Sequence, residues 1–154
     1  MEELTLLGER AVQAKYELQR MTTEKKNEVL EAVAEALIQN TEYLLLENQK
    51  DLERGIANQM NPGLVDRLRL TKERIAGMAE GIRQIVKLPD PVGEILDDYE
   101  AENGLHIVKK RVPMGVIGII YESRPNVTAD AFGLCFKSGS AVILKGGSDA
   151  IRSN

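Results

Sequence analysis

The chain has 154 residues, 43% of them hydrophobic and 29% charged, which is the composition of an ordinary soluble domain able to bury a real core. Twenty Lys and Arg against twenty-four Asp and Glu leave a net charge of −4, spread along the chain with no basic stripe to meet nucleic acid. No apolar run reaches the about 18 residues of a membrane span, the acidic start Met1-Glu2-Glu3 is wrong for a signal peptide, and one cysteine forms no internal disulfide, so the chain reads as cytosolic.

Residues 1–88 read as helical throughout. Leu4, Leu7, Ala11, Ala14, Leu18 and Met21 recur at helical spacing with charge on the other side. Thr22 or Thr23 can cap the next helix, which shows Val29, Leu30, Val33, Leu37 and Ile38. Thr41 opens a third, with Leu44, Leu45, Leu52 and Ile56, and Asn61-Pro62-Gly63 breaks it. Leu64 to Leu70 fits a short helix. Thr71 then caps a last one, carrying Ile75, Met78, Ala79, Ile82, Ile85 and Val86 on one face. None of these segments shows a recognisable site; such stripes are core packing.

Pro89 and Pro91 close the helical part, and residues 89–112 form a predicted β-hairpin: Glu94 to Glu102, Asn103-Gly104, Leu105 to Val112. Asn-Gly between two extended runs predicts a tight turn with positive φ at both central positions. Lys109, Lys110 and Arg111 crowd the return strand, where charge guards an exposed edge. Such a ribbon can also pair with another subunit.

Residues 113–154 read as the start of a βαβ unit. Val116 to Ile120 has the length of a strand buried on both faces. A polar loop, Tyr121-Glu122-Ser123-Arg124-Pro125-Asn126, leads to a helix over Thr128 to Ser138 with Ala129, Phe132, Leu134, Cys135 and Phe136 as its apolar side. Gly139 ends it as a left-handed cap, and Ala141-Val142-Ile143-Leu144 is a second buried strand. Lys145-Gly146-Gly147-Ser148 follows, with another helix starting at Ser148 or Asp149. The fold class is therefore α/β, a helical N-terminal segment and a β-hairpin followed by the first βαβ of an open parallel Rossmann-like sheet. Working loops in such sheets lie at the carboxyl ends of the strands, and glycine-exposed amides beside a lysine suit a phosphate or ribose-phosphate ligand. The plainer alternative makes Lys145 a solvated strand end and the glycines a tight turn.

His106 has no partner at ligand spacing, so no metal site is expected. Cys135 lies in an apolar helical face and reads as packed and inert. There is no GxGxxG after a strand, no GxxxxGK[ST], no HExxH and no CxxC. A sheet with two buried strands and a barely begun next helix is unfinished, which points to a longer polypeptide.

On particular residues the stretch 112–154 resembles the aldehyde dehydrogenase superfamily and, within it, the γ-glutamyl phosphate reductase branch. Pro113-Met114-Gly115-Val116-Ile117-Gly118 is shared broadly. Tyr121-Glu122-Ser123-Arg124-Pro125-Asn126-Val127-Thr128 is specific to the branch, and Val142-Ile143-Leu144-Lys145-Gly146-Gly147-Ser148 fits it too. The helices of 1–88 and the hairpin suit the family's N-terminal arrangement, so the match covers the whole chain as the first third or so of a member.

The resemblance implies an incomplete aldehyde dehydrogenase fold, with the catalytic domain absent. Its activity would be NADPH-dependent reduction of γ-glutamyl phosphate to glutamate 5-semialdehyde, with phosphate release, in proline biosynthesis. It further implies a cysteine nucleophile beyond residue 154, which Cys135 does not match, and hence no activity for this chain alone. By position, Lys145 falls where the superfamily holds the adenosine ribose, and Ser148 where NAD-preferring members often carry glutamate, which fits NADP. Ile120, Tyr121, Glu122 and Ser123 would form a backbone wall under the cofactor, with Gly146 and Gly147 in the adjoining turn. The superfamily's oxyanion asparagine maps to Arg124 by direct count, or to Asn126 with a small gap. Either would stabilise an oxyanion or hold the substrate phosphate. A homo-oligomer, a cytoplasmic location and a functional contact with a glutamate kinase are the remaining expectations. Two rival readings are a non-catalytic helical and βαβ interaction module, and an enzyme of another cofactor class such as a kinase-like phosphate binder.

Overall fold

The computed structural model describes residues 2–154; Met1, part of the acidic start weighed above, lies outside them. Five helices come first: α1 (Glu2–Leu18), α2 (Thr23–Gln39), α3 (Thr41–Ala57), α4 (Pro62–Leu68) and α5 (Lys72–Lys87). Strands β1 (Ile95–Glu100), β2 (His106–Lys110) and β3 (Val116–Ile120) follow, then α6 (Pro125–Lys137), β4 (Ala141–Lys145) and a short 3-10 turn, Ser148–Ala150.

The helix ends follow local chemistry. Thr22 is extended and its hydroxyl accepts from the Lys25 N–H at 3.3 Å, while Thr71 does the same for Arg74 at 3.1 Å. α4 starts at Pro62, earlier than the expected Leu64, because Asn61 caps it by accepting from the Gly63 N–H and proline suits a first turn. α3 stops at Ala57, ahead of the expected break. Gln59 takes a left-handed φ of 56°, and the Met60 N–H reaches the Gly55 carbonyl at 2.9 Å in a Schellman closure. Gly139, at φ 70°, closes α6 in the same way, with the Ser140 N–H donating to the Cys135 carbonyl at 2.9 Å.

One core joins α2, α5 and α6 through Leu30, Ala34, Ile75, Met78, Ala79, Ile82, Ile85 and Ala129. Each large aliphatic side chain among them contributes roughly 1.5–3 kcal/mol of burial. A smaller cluster, Leu52, Leu68 and Ala150, seats the 3-10 turn on α3 and α4. Several expected core positions are exposed instead: Leu4, Leu7 and Ala14 of α1, Ile38 of α2, Ile56 of α3 and Leu134 of α6. Their faces meet too little of the described chain; α1 buries no residue at all, although it leans on β4. Conversely, six polar residues are buried among the described residues: Lys26, Asn48, Asp51, Lys137, Ser140 and Ser153. The Lys26 ammonium, 1% exposed, pairs with Asp90 at 2.8 Å, and Lys137 donates to the Asn27 side chain and the Val86 carbonyl. Asn48 and Asp51 sit under the 3-10 turn.

β1 and β2 pair antiparallel, and every residue of both strands is exposed. The turn differs from the expected one. Of its Asn-Gly pair, only Gly104 has positive φ, at 82°; the Gly104 N–H donates to the Ala101 carbonyl, and Ala101 and Leu105 close the loop. This is a three-residue loop ending in a glycine bulge, which tolerates an ordinary conformation at Asn103.

β3 and β4 pair parallel, with Ile120 opposite Lys145. They form a two-stranded sheet among the described residues, so neither strand is buried on both faces as expected; Ile120 is 82% exposed. α6 links them, beginning at Pro125 rather than Thr128 because Arg124 is extended and proline again occupies the first turn. Gly133 lets α6 approach α5: a Cβ there would lie 2.8 Å from the Ile82 and Ile85 methyls.

Candidate active site

The carboxyl ends of β3 and β4 lie side by side. The Tyr121 N–H donates to the Lys145 carbonyl at 3.1 Å, extending the ladder by one bond into both loops. Beyond it the glycine turn presses on the first loop. A Cβ at Gly147 would stand 2.8 Å from the Ser123 hydroxyl, and one at Gly146 would meet the Asn154 amide at 2.2 Å, so a side chain at either position would displace one of these groups. Thr128 donates to the Asn154 side chain at 3.1 Å, which leaves the Tyr121 hydroxyl as donor to Thr128 at 2.7 Å. A buried carboxylate fixes the turn from below. Asp51 accepts from the N–H groups of Arg152 and Ser153, and Arg54, held by Asp51 at 2.8 Å, donates to the Ser148 carbonyl.

This rim has two working surfaces. On one, Ile120 and Lys145 share a face of the sheet, and the Lys145 ammonium has no hydrogen-bond or ion-pair partner among the described residues. Gly118, on the same face, has open space where a Cβ would point. The other is a cavity of about 470 Å³ between the two loops and α4, lined by Tyr121, Glu122, Ser123, Arg124, Gly147 and Ser148 together with Met60, Leu64, Arg67 and Asp149. Ser123 donates to Asp149 across it at 3.5 Å.

A second cavity of about 440 Å³ adjoins the first, between α4, α5 and the start of α6. Asn126 belongs here, in the first turn of α6, its amide 3.4 Å from Asp130. Arg124 and Arg67 line both cavities. The candidate residues thus divide three ways: Ile120 and Lys145 on the open face, with Gly146 beside them in the turn; Tyr121 to Ser123, Gly147 and Ser148 in the first cavity; and Asn126 in the second, with Arg124 between the two.

The sequence reading missed the contribution of α4 and its connection to α5. Arg67 and Arg69 alternate with the buried Leu68 and Leu70, so the arginines point outward together, and this alternation is a signal visible in the sequence. Arg74 also lines the second cavity and donates to the carbonyls of Asp66 and Arg69 and to the Asp66 carboxylate, fixing the end of α4. Cys135 is buried, and burial pushes its thiol pKa up, away from the thiolate a nucleophile needs. His106 sits on the hairpin against Asp98.

The helical segment, the hairpin and the parallel strand pair place the chain in the class of proteins with the aldehyde dehydrogenase fold. A propionaldehyde dehydrogenase from Clostridium phytofermentans aligns with 94% of the chain at a TM-score of 0.59 and 15% identity. A 3,6-anhydro-L-galactose dehydrogenase in complex with NAP aligns with 90% at 0.57 and 18% identity. Within that class the chain is similar to gamma-glutamyl phosphate reductases over its whole length. It is 53% identical over all 154 residues to gamma-glutamyl phosphate reductase of Clostridium botulinum, and it spans 37% of that relative's length. The crystal structure of gamma-glutamyl phosphate reductase from Thermotoga maritima aligns with 95% of the chain and 35% of its own length, at a TM-score of 0.91 and 42% identity. No family model matches the chain.

Proposed function

We propose that this chain supplies part of the cofactor side of an enzyme that reduces γ-glutamyl phosphate to glutamate 5-semialdehyde, releasing phosphate, with NADPH as reductant. The observation that carries the reading is the junction of the β3 and β4 ends: one hydrogen-bonded rim, two closely packed glycines and, among the described residues, an unpaired lysine beside an apolar shelf. That donor set fits a pyridine nucleotide. The Lys145 ammonium is free to hydrogen-bond ribose hydroxyls, Ile120 offers apolar surface, and the Ser148 side chain brings no charge against a 2′-phosphate. When bound, NADPH supplies the hydride.

The residues of this chain bind and orient; the nucleophile is not among them. Arg124 and Asn126, at the head of α6, are the donors available to a developing oxyanion or a phosphate oxygen. The exposed hairpin is a surface for a second subunit. The test is a titration of the full-length enzyme with NADPH, NADH and ATP, alongside turnover with γ-glutamyl phosphate or, in reverse, glutamate 5-semialdehyde and phosphate. NADPH is expected to bind most tightly and to support turnover. Preference for ATP, or no nucleotide binding, would overturn the reading in favour of a phosphate binder or an interaction module.

A further inference from the structure

We infer that Arg67 of α4 joins Arg124 in a two-arginine site for a phosphoryl group, at the wall shared by the two cavities. The inference rests on the reading above and adds a residue to it from a part of the chain with no assigned role. Arg67 and Arg124 line both cavities, and neither guanidinium has a hydrogen-bond or ion-pair partner among the described residues. The nearby acids do not quench them. Asp66 is engaged by Arg74 and Asp130 lies against the Asn126 amide. Charge also distinguishes the two sides. The first cavity sets Arg67 and Arg124 against Glu122 and Asp149, whereas the second sets four arginines, Arg67, Arg69, Arg74 and Arg124, against Asp66 and Asp130. An anion therefore belongs on the second side, where the Asn126 amide adds a neutral donor. Arg74 positions the site, since its bonds to the Asp66 and Arg69 carbonyls hold the backbone from which Arg67 projects. Planar guanidinium forks match phosphate oxygens in pairs, and two free ones beside a cavity suit a dianion better than a carboxylate.

The phosphoryl group has two possible sources, the acyl phosphate (or the inorganic phosphate it releases) and the cofactor. Both are read in the full-length enzyme by assaying the reverse reaction, glutamate 5-semialdehyde with NADP and inorganic phosphate. Arg67→Gln is expected to raise KM for phosphate about tenfold, as loss of one charge-assisted hydrogen bond does, with KM for NADP unmoved. Arg67→Lys is expected to restore part of the loss. A rise in KM for NADP alone would also support the site and assign it to the cofactor's phosphate. Binding of inorganic phosphate, followed by calorimetry on wild type and Arg67→Gln, needs no turnover and so tests the site even if the proposed reaction fails. Equal phosphate binding by both proteins, with both KM values unchanged, would overturn it.

Discussion

Ser153 donates twice to one oxygen of the Asp51 carboxylate, from its backbone N–H at 2.9 Å and its hydroxyl at 2.7 Å. The pair fastens the segment after the glycine turn to α3, so the rim of the proposed site is held by the helical part of the chain. Asp51→Ala would leave the N–H groups of Arg152 and Ser153 and the Ser153 hydroxyl without their acceptor. The expected cost is about 3 kcal/mol of stability, measured by urea denaturation. Asp51→Asn, which keeps one acceptor oxygen, is expected to cost less. A neutral Asp51→Ala would show that the segment is held by something else.

A second long-range pair sets an acid dependence. Burial works to raise the Asp90 carboxyl, but hydrogen bonds from Lys26, the Val92 N–H and Thr23 outweigh it and hold its pKa below the ordinary 3.8. A carboxyl lowered on folding contributes stability that is whole above its unfolded value and is lost as pH falls through the folded one. Stability should therefore decline as pH drops below about 4, and Asp90→Asn should flatten that limb. At neutral pH the same variant leaves Lys26 buried without its counter-ion, at a cost of about 3 kcal/mol. Burial lowers Lys137, so its charged form costs stability below its folded pKa, and that cost is relieved as pH rises toward 10.5. Denaturation midpoints from pH 3 to 10, for wild type and Asp90→Asn, test both limbs. An unchanged acid limb in Asp90→Asn would refute the first.

What could be read from the sequence is what its neighbours decide. The cap at Thr71 and the left-handed Gly139 act within a few residues and stand where the sequence placed them, and of the two threonines offered for α2 the cap is Thr22. The order strand, helix, strand, glycine turn was legible for the same reason, and with it the fold class. The buried Lys26 and Lys137 were not legible, because their partners Asp90 and Asn27 lie 64 and 110 residues away. Helical spacing marks Leu134 as apolar but cannot say that it stays half-exposed on α6. In the site, both loops were visible as chemistry, whereas Arg67 of α4 and Arg69 after it gain meaning only when folding sets them around one cavity with Arg124.

The end of α3 offers a gain in stability. Gln59 is a non-glycine residue in the left-handed region, at φ 56°, where glycine carries no Cβ penalty. Gln59→Gly is expected to stabilise the fold by about 1 kcal/mol, after allowing for glycine's greater freedom in the unfolded chain. Thermal melting of the two proteins measures it, and a lower melting temperature for the variant would contradict the strain assigned to this position.

The central claim, that the ends of β3 and β4 hold a pyridine nucleotide, is tested most directly at Lys145. Its ammonium is exposed and has no partner among the described residues, so removing it leaves folding intact and touches only what binds there. NADPH affinity of the full-length enzyme, followed by fluorescence titration, is expected to fall about tenfold in Lys145→Met, the loss of one charge-assisted hydrogen bond, with the melting temperature unchanged. An equal affinity in wild type and variant would contradict the account.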